Sequence, residues 1–106
     1  MIEVNKENFD DEVTKSAIPV VVDLWGPKCG PCLALMPQVE ALAGSYEGRV
    51  KFCKLNTAEN RRLCGTLRVI SVPTFLFYRN GALLSRITGD EATIEAIEEQ
   101  TKKLVE

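Results

Sequence analysis

Histidine is absent from this sequence of 106 residues. Its absence excludes Ser-His and Cys-His catalytic arrangements and every zinc site that uses an imidazole ligand. Any proton transfer must therefore use a carboxylate, a lysine or a thiol. Cysteine occurs four times in the chain. A zinc site made from all four is disfavoured, because Cys53 and Cys64 lack the close spacing that a second ligand pair usually has.

Long charged runs and long apolar runs are also missing. The formal net charge is -2 and no basic run occurs, which argues against a nucleic-acid partner. The longest apolar stretch, residues 18–25, is broken by Pro19 and Asp23 and is too short to span a membrane. The first residues lack the basic and apolar pattern of a signal peptide, so we expect a cytoplasmic protein without a membrane partner. In that compartment a Cys-x-x-Cys is more often catalytic than structural.

Strand and helix patterns alternate along the chain. Apolar and β-branched runs predict strands, spacings of three to four predict helices, and Asn80-Gly81 predicts a hairpin turn. The final helix is expected to be capped by Asp90. We therefore expect one α/β domain over residues 1–106, with a mixed central β-sheet and helices on both faces. The predicted strands are 2–4, 20–24, 50–55, 74–78 and 83–88, and the predicted helices are 5–16, 31–46, 61–66 and one after Asp90.

The most informative motif is Cys29-Gly30-Pro31-Cys32, which lies between a predicted strand and a predicted helix. Two cysteines three positions apart at a helix start have Cα atoms about 5–6 Å apart, which suits a disulfide. The helix N-terminus stabilises a thiolate on the first sulfur. The motif predicts a redox-active dithiol. The alternative is a static structural disulfide, which is unusual in a chain without secretory features.

Asp23 is an unusual residue in an otherwise apolar strand, a few positions before the two cysteines. Burial would raise the pKa of its carboxyl group, because desolvation disfavours the charged form. A carboxyl group that is partly protonated can exchange protons with Cys32. The alternative is an aspartate that only caps the following loop.

The chain resembles the thioredoxin family over nearly its whole length. Several segments in the family's order carry the resemblance, and together they are far more specific than a Cys-x-x-Cys alone. The resemblance implies the thioredoxin fold, with the element order β-α-β-α-β-α-β-β-α. The segments are Val21-Val22-Asp23-Leu24-Trp25, Cys29-Gly30-Pro31-Cys32 with Pro37, Lys54-Leu55-Asn56, Val72-Pro73-Thr74, Asn80-Gly81 and Gly89.

The same resemblance implies a protein-disulfide reductase that works by thiol–disulfide exchange. Cys29 would attack a disulfide of a target protein, and Cys32 would then attack Cys29 and release the reduced target. Gly30 would allow a tight loop and a close target, and Pro31 suits the first helical position. We expect disulfide-bearing target proteins and a thioredoxin reductase as partners, no cofactor, no metal and a monomer.

Further site residues follow from the resemblance. Lys54 matches a lysine that often accompanies the buried aspartate, although a strand lysine can simply extend to water. Pro73 matches a cis proline that would turn the Val72 backbone towards an extended target segment, the alternative being an ordinary trans proline. Trp25 and Gly89 would border the same groove, although Trp25 could equally be a core residue.

Two positions depart from the family pattern. Thioredoxins commonly have tryptophan before the first cysteine and lysine after the second, where this chain has Lys28 and Leu33. Lys28 should favour the Cys29 thiolate, or its presence could be neutral drift at an exposed position. Both changes lie where a reductase would bind, so we expect a dedicated reductase.

Cys53 and Cys64 lie outside the motif, on a predicted interior strand and a predicted short helix. We interpret them as buried free thiols, the alternative being a second regulatory disulfide. Two other functions stay open. One is a glutathione-dependent reductase of the glutaredoxin kind, and the other is a non-catalytic thioredoxin-fold module of a larger assembly.

Overall fold

The computed structural model describes residues 1–106 and contains a five-stranded sheet with helices against both faces. The predicted mixed sheet is therefore confirmed. None of the helices has the length and apolar character needed to cross a bilayer. The strands are β1 (Ile2–Glu3), β2 (Val20–Trp25), β3 (Lys51–Asn56), β4 (Thr74–Arg79) and β5 (Ala82–Thr88), and the α-helices are α1 (Gly30–Ser45), α2 (Arg61–Thr66) and α3 (Ile94–Leu104).

Strand β2 is the middle strand of the sheet, whose order is β1-β3-β2-β4-β5. It pairs in parallel with β3 and antiparallel with β4. Its β-branched, apolar sequence suits a strand that is covered on both faces. In this register Asp23 lies opposite Lys54 on β3 and opposite Phe75 on β4.

Alternating side chains of the strands form two cores, one on each side of the sheet. Val21, on the same face of β2 as Asp23, packs in the core that contains residues of α1 and α3. Val22 packs in the opposite core with residues of the first connection and α2. Because neighbours on a strand face opposite ways, Lys54 shares the α1 side of the sheet with Asp23, whereas Cys53 belongs to the other side.

The prediction of a regular helix over residues 5–16 is wrong. Only a five-residue π-helix forms, Asp10–Thr14, in which the Lys15 N–H donates to the Asp10 carbonyl at 2.9 Å. The Asn5 side chain accepts hydrogen bonds from the backbone N–H groups of Glu7 and Asn8, at 2.8 and 3.2 Å. These are N-cap hydrogen bonds, and the Phe9 and Glu12 N–H groups donate to the Asn5 and Asn8 carbonyls at 2.9 Å, so the segment starts with helical bonds. It departs from a regular helix where the Lys15 bond spans five residues.

The prediction that Asp90 caps the last helix is also wrong. The cap is Thr93, whose hydroxyl oxygen accepts a hydrogen bond from the Ala96 N–H at 3.1 Å. Asp90 instead lies in a 3₁₀ turn, Gly89–Glu91, which begins at a glycine with φ +64°. Because of this 3₁₀ turn, α3 begins about one helical turn later than predicted.

The predicted hairpin between β4 and β5 is confirmed. Asn80 and Gly81 have φ of +53° and +79°, the positive values that a type I′ turn requires. Gly81 also lies against the first connection, because a Cβ atom there would be 2.8 Å from the Thr14 carbonyl oxygen. A side chain at this position is therefore excluded by both the turn and the contact.

Candidate active site

Cys29 and Cys32 lie at the N-terminus of α1 and form a disulfide, with their Cα atoms 5.3 Å apart. Cys29 is the N-cap residue and has an extended backbone, while Pro31 lies in the first turn, where its missing N–H leaves no helical bond unmade. The Cys32 N–H donates to the Cys29 sulfur at 3.2 Å. A backbone N–H of this helix end therefore points towards the Cys29 sulfur.

The two sulfurs differ in accessibility. Cys29 is half-buried, whereas Cys32 is 2% exposed. A large disulfide substrate can reach only the first of them. Gly30 and Lys28 beside it are exposed, so the approach to Cys29 is open.

Asp23 is buried on the side of the sheet covered by α1, and 2% of its surface remains exposed. Burial raises the pKa of its carboxyl group to about 7, and the positive charge of Lys54 opposes part of that rise. Lys54 is half-buried, and none of the four ion pairs in the molecule includes Asp23. At neutral pH this carboxyl group can therefore both accept and donate a proton.

Two clefts flank the disulfide. The larger, of about 800 Å³, is lined on one side by Lys28, Cys29 and Gly30. The smaller, of about 360 Å³, is lined in part by Pro73 and Gly89. Pro31 and Val72 line both clefts, so they form a ridge between them; we call it the Pro31–Val72 ridge.

The backbone of Val72 has unpaired hydrogen-bonding groups. The Val72–Pro73 peptide bond is cis, and neither the N–H nor the C=O of Val72 bonds to another backbone group. The residues around it are held in place, since the Gly89 N–H donates to the Pro73 carbonyl at 2.9 Å. An extended segment that lies along the ridge could pair with Val72 by main-chain hydrogen bonds.

The structure thus brings most predicted site residues to one end of the sheet, but some of them do not line the clefts. Trp25 is half-buried and lines neither cleft, and its indole N–H is buried without a hydrogen-bond partner. Sequence reasoning missed Arg61 and Ile70 in the wall of the larger cleft and Asp90 in that of the smaller. No local pattern marks Arg61 as a site residue, whereas the position of Ile70 shortly before Val72-Pro73 was an available signal.

Cys53 and Cys64 are free thiols and both are buried, as predicted. Both belong to the core on the side of the sheet opposite α1. Burial raises the pKa of Cys53 to about 11, although Lys51 opposes the rise, and burial also raises the pKa of Cys64. Neither thiol forms a reactive thiolate readily at neutral pH.

Comparison with known proteins agrees with this geometry. The family model for thioredoxin matches residues 1–103. A thioredoxin of Peptoclostridium acidaminophilum is 40% identical over 105 residues, which cover 99% of this chain and 96% of that protein. A thioredoxin of Acetoanaerobium sticklandii is 35% identical over 99% of this chain and 100% of its own length. Thioredoxin 1 of a Nostoc species is 37% identical over 82% of this chain and 81% of its own length.

These matches span almost the whole sequence, and they agree with a mixed sheet whose central strand leads to a Cys-x-x-Cys disulfide at a helix start. The chain therefore belongs to the thioredoxin family, the disulfide oxidoreductases that work by thiol–disulfide exchange.

Proposed function

We propose that Cys29 is the nucleophile and Cys32 the resolving thiol of a protein-disulfide reductase formed by residues 1–106. The observation that carries this assignment is the unequal exposure of the two cysteines: Cys29 is half-buried at a helix N-terminus, and Cys32 is 2% exposed. A nucleophile must reach its substrate, whereas a resolving thiol needs to reach only the mixed disulfide.

The reaction has two exchange steps. The Cys29 thiolate attacks one sulfur of the target disulfide, so a Cys29–target bond forms, the target S–S bond breaks and the leaving thiolate takes a proton from solvent. Cys32 then loses its proton and attacks the Cys29 sulfur, which forms the Cys29–Cys32 bond and releases the second target thiolate. Two electrons pass to the target, and the second attack is fast because it is intramolecular.

Asp23 would accept the proton of Cys32 in the second step. Its carboxyl group has a pKa of about 7 and lies on the side of the sheet that α1 covers. A base with a pKa near the working pH is the most effective in proton transfer. Lys54 would keep part of the carboxyl population ionised, because its positive charge lowers the pKa that burial raises.

The target would bind along the Pro31–Val72 ridge. Val72 offers an unpaired backbone N–H and C=O, and Pro73 and Gly89 form the adjoining wall. Gly30 leaves room above the disulfide, since no atom lies within 4 Å of where its Cβ would be. Trp25 lines neither cleft, so we do not expect its side chain to contact the target.

Besides its target proteins, the partner we propose is a thioredoxin reductase that is dedicated to this protein. Lys28 and Leu33 stand exposed on either side of the active-site pair, and they replace residues that thioredoxins commonly have there. Loss of an aromatic contact from a small interface can cost about 2 kcal/mol, or more than tenfold in affinity. We further propose a monomer in the cytoplasm that needs no cofactor.

Reduction of insulin with dithiothreitol as electron donor tests the reductase activity. We expect turnover without glutathione; activity that appears only with glutathione would instead support the glutaredoxin alternative, and no activity at all would support a non-catalytic module.

A second assay tests the reductase partner. We expect slow reduction by an NADPH-dependent flavin thioredoxin reductase from another organism and faster reduction after the double change Lys28→Trp and Leu33→Lys. Full-rate reduction of the unchanged protein would refute the dedicated reductase.

A further inference from the structure

The two clefts beside the disulfide have opposite charge. The larger contains two charged side chains, Lys28 and Arg61, and no carboxylate lines it. The smaller contains one charged side chain, Asp90. This positive cleft occurs in a protein whose net charge is -2, so it is a local feature and not a consequence of overall composition.

Both cations of the larger cleft are free to bind a ligand. Lys28 and Arg61 are exposed, and neither takes part in any of the four ion pairs of the molecule. Cys29 lies in the same wall, so a group held by these cations would be next to the reactive sulfur.

An apolar side chain completes this surface. Ile70 is 99% exposed and lines the larger cleft together with Val72. One exposed isoleucine is ordinary on a protein surface. Because Ile70 shares the cleft with two free cations and with Val72, an apolar side chain of a bound target could cover it.

We infer that the larger cleft selects target proteins in which an acidic side chain and an apolar side chain lie on one side of the cysteine under attack. This inference rests on the proposed function and names its substrate class. A target segment along the Pro31–Val72 ridge advances about 3.3 Å per residue, so residues close to its cysteine reach the cleft wall. The acidic group would pair with Lys28 and Arg61, and the apolar group would cover Ile70.

The test uses ten-residue peptides with one cysteine held as a mixed disulfide with 2-thiopyridine, a neutral leaving group. Cys29 of the pre-reduced protein attacks the peptide sulfur, so a Cys29–peptide disulfide forms and the peptide–thiopyridine bond breaks. The released pyridine thione is measured by its absorbance. One peptide carries Glu and Leu beside the cysteine, the second Gln and Leu, the third Lys and Leu, and the fourth Glu and Ser.

We expect the Glu–Leu peptide to react about fivefold faster than the Gln–Leu peptide, with the Lys–Leu peptide slowest. Exposed charge pairs are worth fractions of a kcal/mol to about 1 kcal/mol, which corresponds to about two- to fivefold each. The preference should shrink as salt is added, since screening weakens exposed charge pairs.

Matched variants assign the effect to the cleft. Arg61→Glu leaves the Lys28 cation beside a carboxylate and should largely remove the preference for the Glu–Leu over the Lys–Leu peptide, whereas Arg62→Glu, the same change at a neighbour that does not line the cleft, should leave it intact. Ile70→Ser should slow the Glu–Leu peptide but not the Glu–Ser peptide. Reaction with neutral 4,4′-dithiodipyridine measures thiol reactivity alone, and each peptide rate is divided by this rate before the variants are compared.

Equal rates for all four peptides, or equal effects of Arg61→Glu and Arg62→Glu, would overturn the inference while leaving the reductase function intact. If reduction of oxidised glutathione depends on Arg61 and reduction of the peptides does not, the cleft binds a small anionic disulfide instead, and the inference also fails. If no peptide and no insulin is reduced, the proposed function itself fails.

Discussion

The two pairs of cysteines show how position within one small fold decides what a thiol can do. Cys29 and Cys32 lie at a helix N-terminus at the surface end of the sheet and form a disulfide. Cys53 and Cys64 lie in the core on the opposite side of the sheet, where burial raises the pKa of both. By our proposal, access at a helix N-terminus makes Cys29 reactive, whereas burial leaves Cys53 and Cys64 inert.

The same contrast holds between two neighbours on β3. Cys53 and Lys54 are adjacent in sequence, but strand alternation places them on opposite sides of the sheet. Lys54 therefore lies opposite Asp23 and influences its pKa, whereas Cys53 packs among apolar side chains. A one-residue shift in register would exchange the two roles.

Removal of the Cys29 sulfur should have the largest effect, because it removes the thiol that attacks the target. We expect Cys29→Ser to abolish disulfide reduction, because a buried Cys32 cannot reach the target. Cys32→Ser should keep the first step and accumulate a mixed disulfide between Cys29 and the target. Mass spectrometry after incubation with insulin distinguishes them; accumulation in the Cys29→Ser variant instead would reverse the assigned roles.

The next largest effect should be on stability, and it should come from the buried carboxyl group of Asp23. The pKa of Asp23 is about 7 in the folded protein and 3.8 in the reference state, a difference that corresponds to about 4 kcal/mol. Between these values the folded state binds more protons than the unfolded state, so the free energy of unfolding falls as pH rises from about 4 to about 7.

Asp23→Asn should remove this pH dependence. In urea unfolding of the oxidised protein, we expect the variant to be close to the parent near pH 4 and more stable than the parent near pH 8, by up to about 4 kcal/mol. Asp11→Asn, which changes an exposed carboxylate, is the matched control and should change little. A parent whose stability does not decline over this pH range would contradict the assigned pKa.

The same substitution should slow the second exchange step by about a hundredfold, because proton transfer by a positioned group contributes about a hundredfold or more. Stopped-flow decay of a preformed mixed disulfide measures this step separately from the first attack. In the parent the rate should change near pH 7 and in Asp23→Asn it should not. Equal decay in both proteins would remove Asp23 from the mechanism.

The order of elements and the redox pair could be predicted from sequence because both depend on local patterns. The β-branched residues of β2 and the Cys-x-x-Cys at the start of α1 each specify their structure within a few residues. The π-helix over Asp10–Thr14 could not be predicted, because the spacing of Phe9 and Val13 also fits a regular helix and only the Lys15–Asp10 backbone bond distinguishes the two.

The cleft wall could not be predicted for a different reason. Lys28, Arg61 and Ile70 come from three separate segments, and only the packing of these segments brings them together. The late start of α3 likewise depends on a turn at Gly89 that moves the cap from Asp90 to Thr93. Tertiary placement decides the cleft wall, and a local backbone turn decides the helix cap.

The smallest effect should come from the buried thiol. Cys53→Ala removes one sulfur atom from a core and should cost about 1 kcal/mol of stability. Insulin reduction by this variant should match the parent, since Cys53 lies on the side of the sheet away from α1. A large loss of turnover would show that the second pair is not inert. Urea unfolding and the insulin assay together provide the measurement.

The most direct test of the contrast is the rate at which each reduced thiol reacts with iodoacetamide, followed residue by residue with mass spectrometry near pH 7. We predict that Cys29 reacts first, that Cys32 follows far more slowly, and that Cys53 and Cys64 stay unmodified until the protein is unfolded. Modification of Cys53 or Cys64 in the folded protein at a rate near that of Cys29 would contradict the claim that position makes one pair reactive and the other inert.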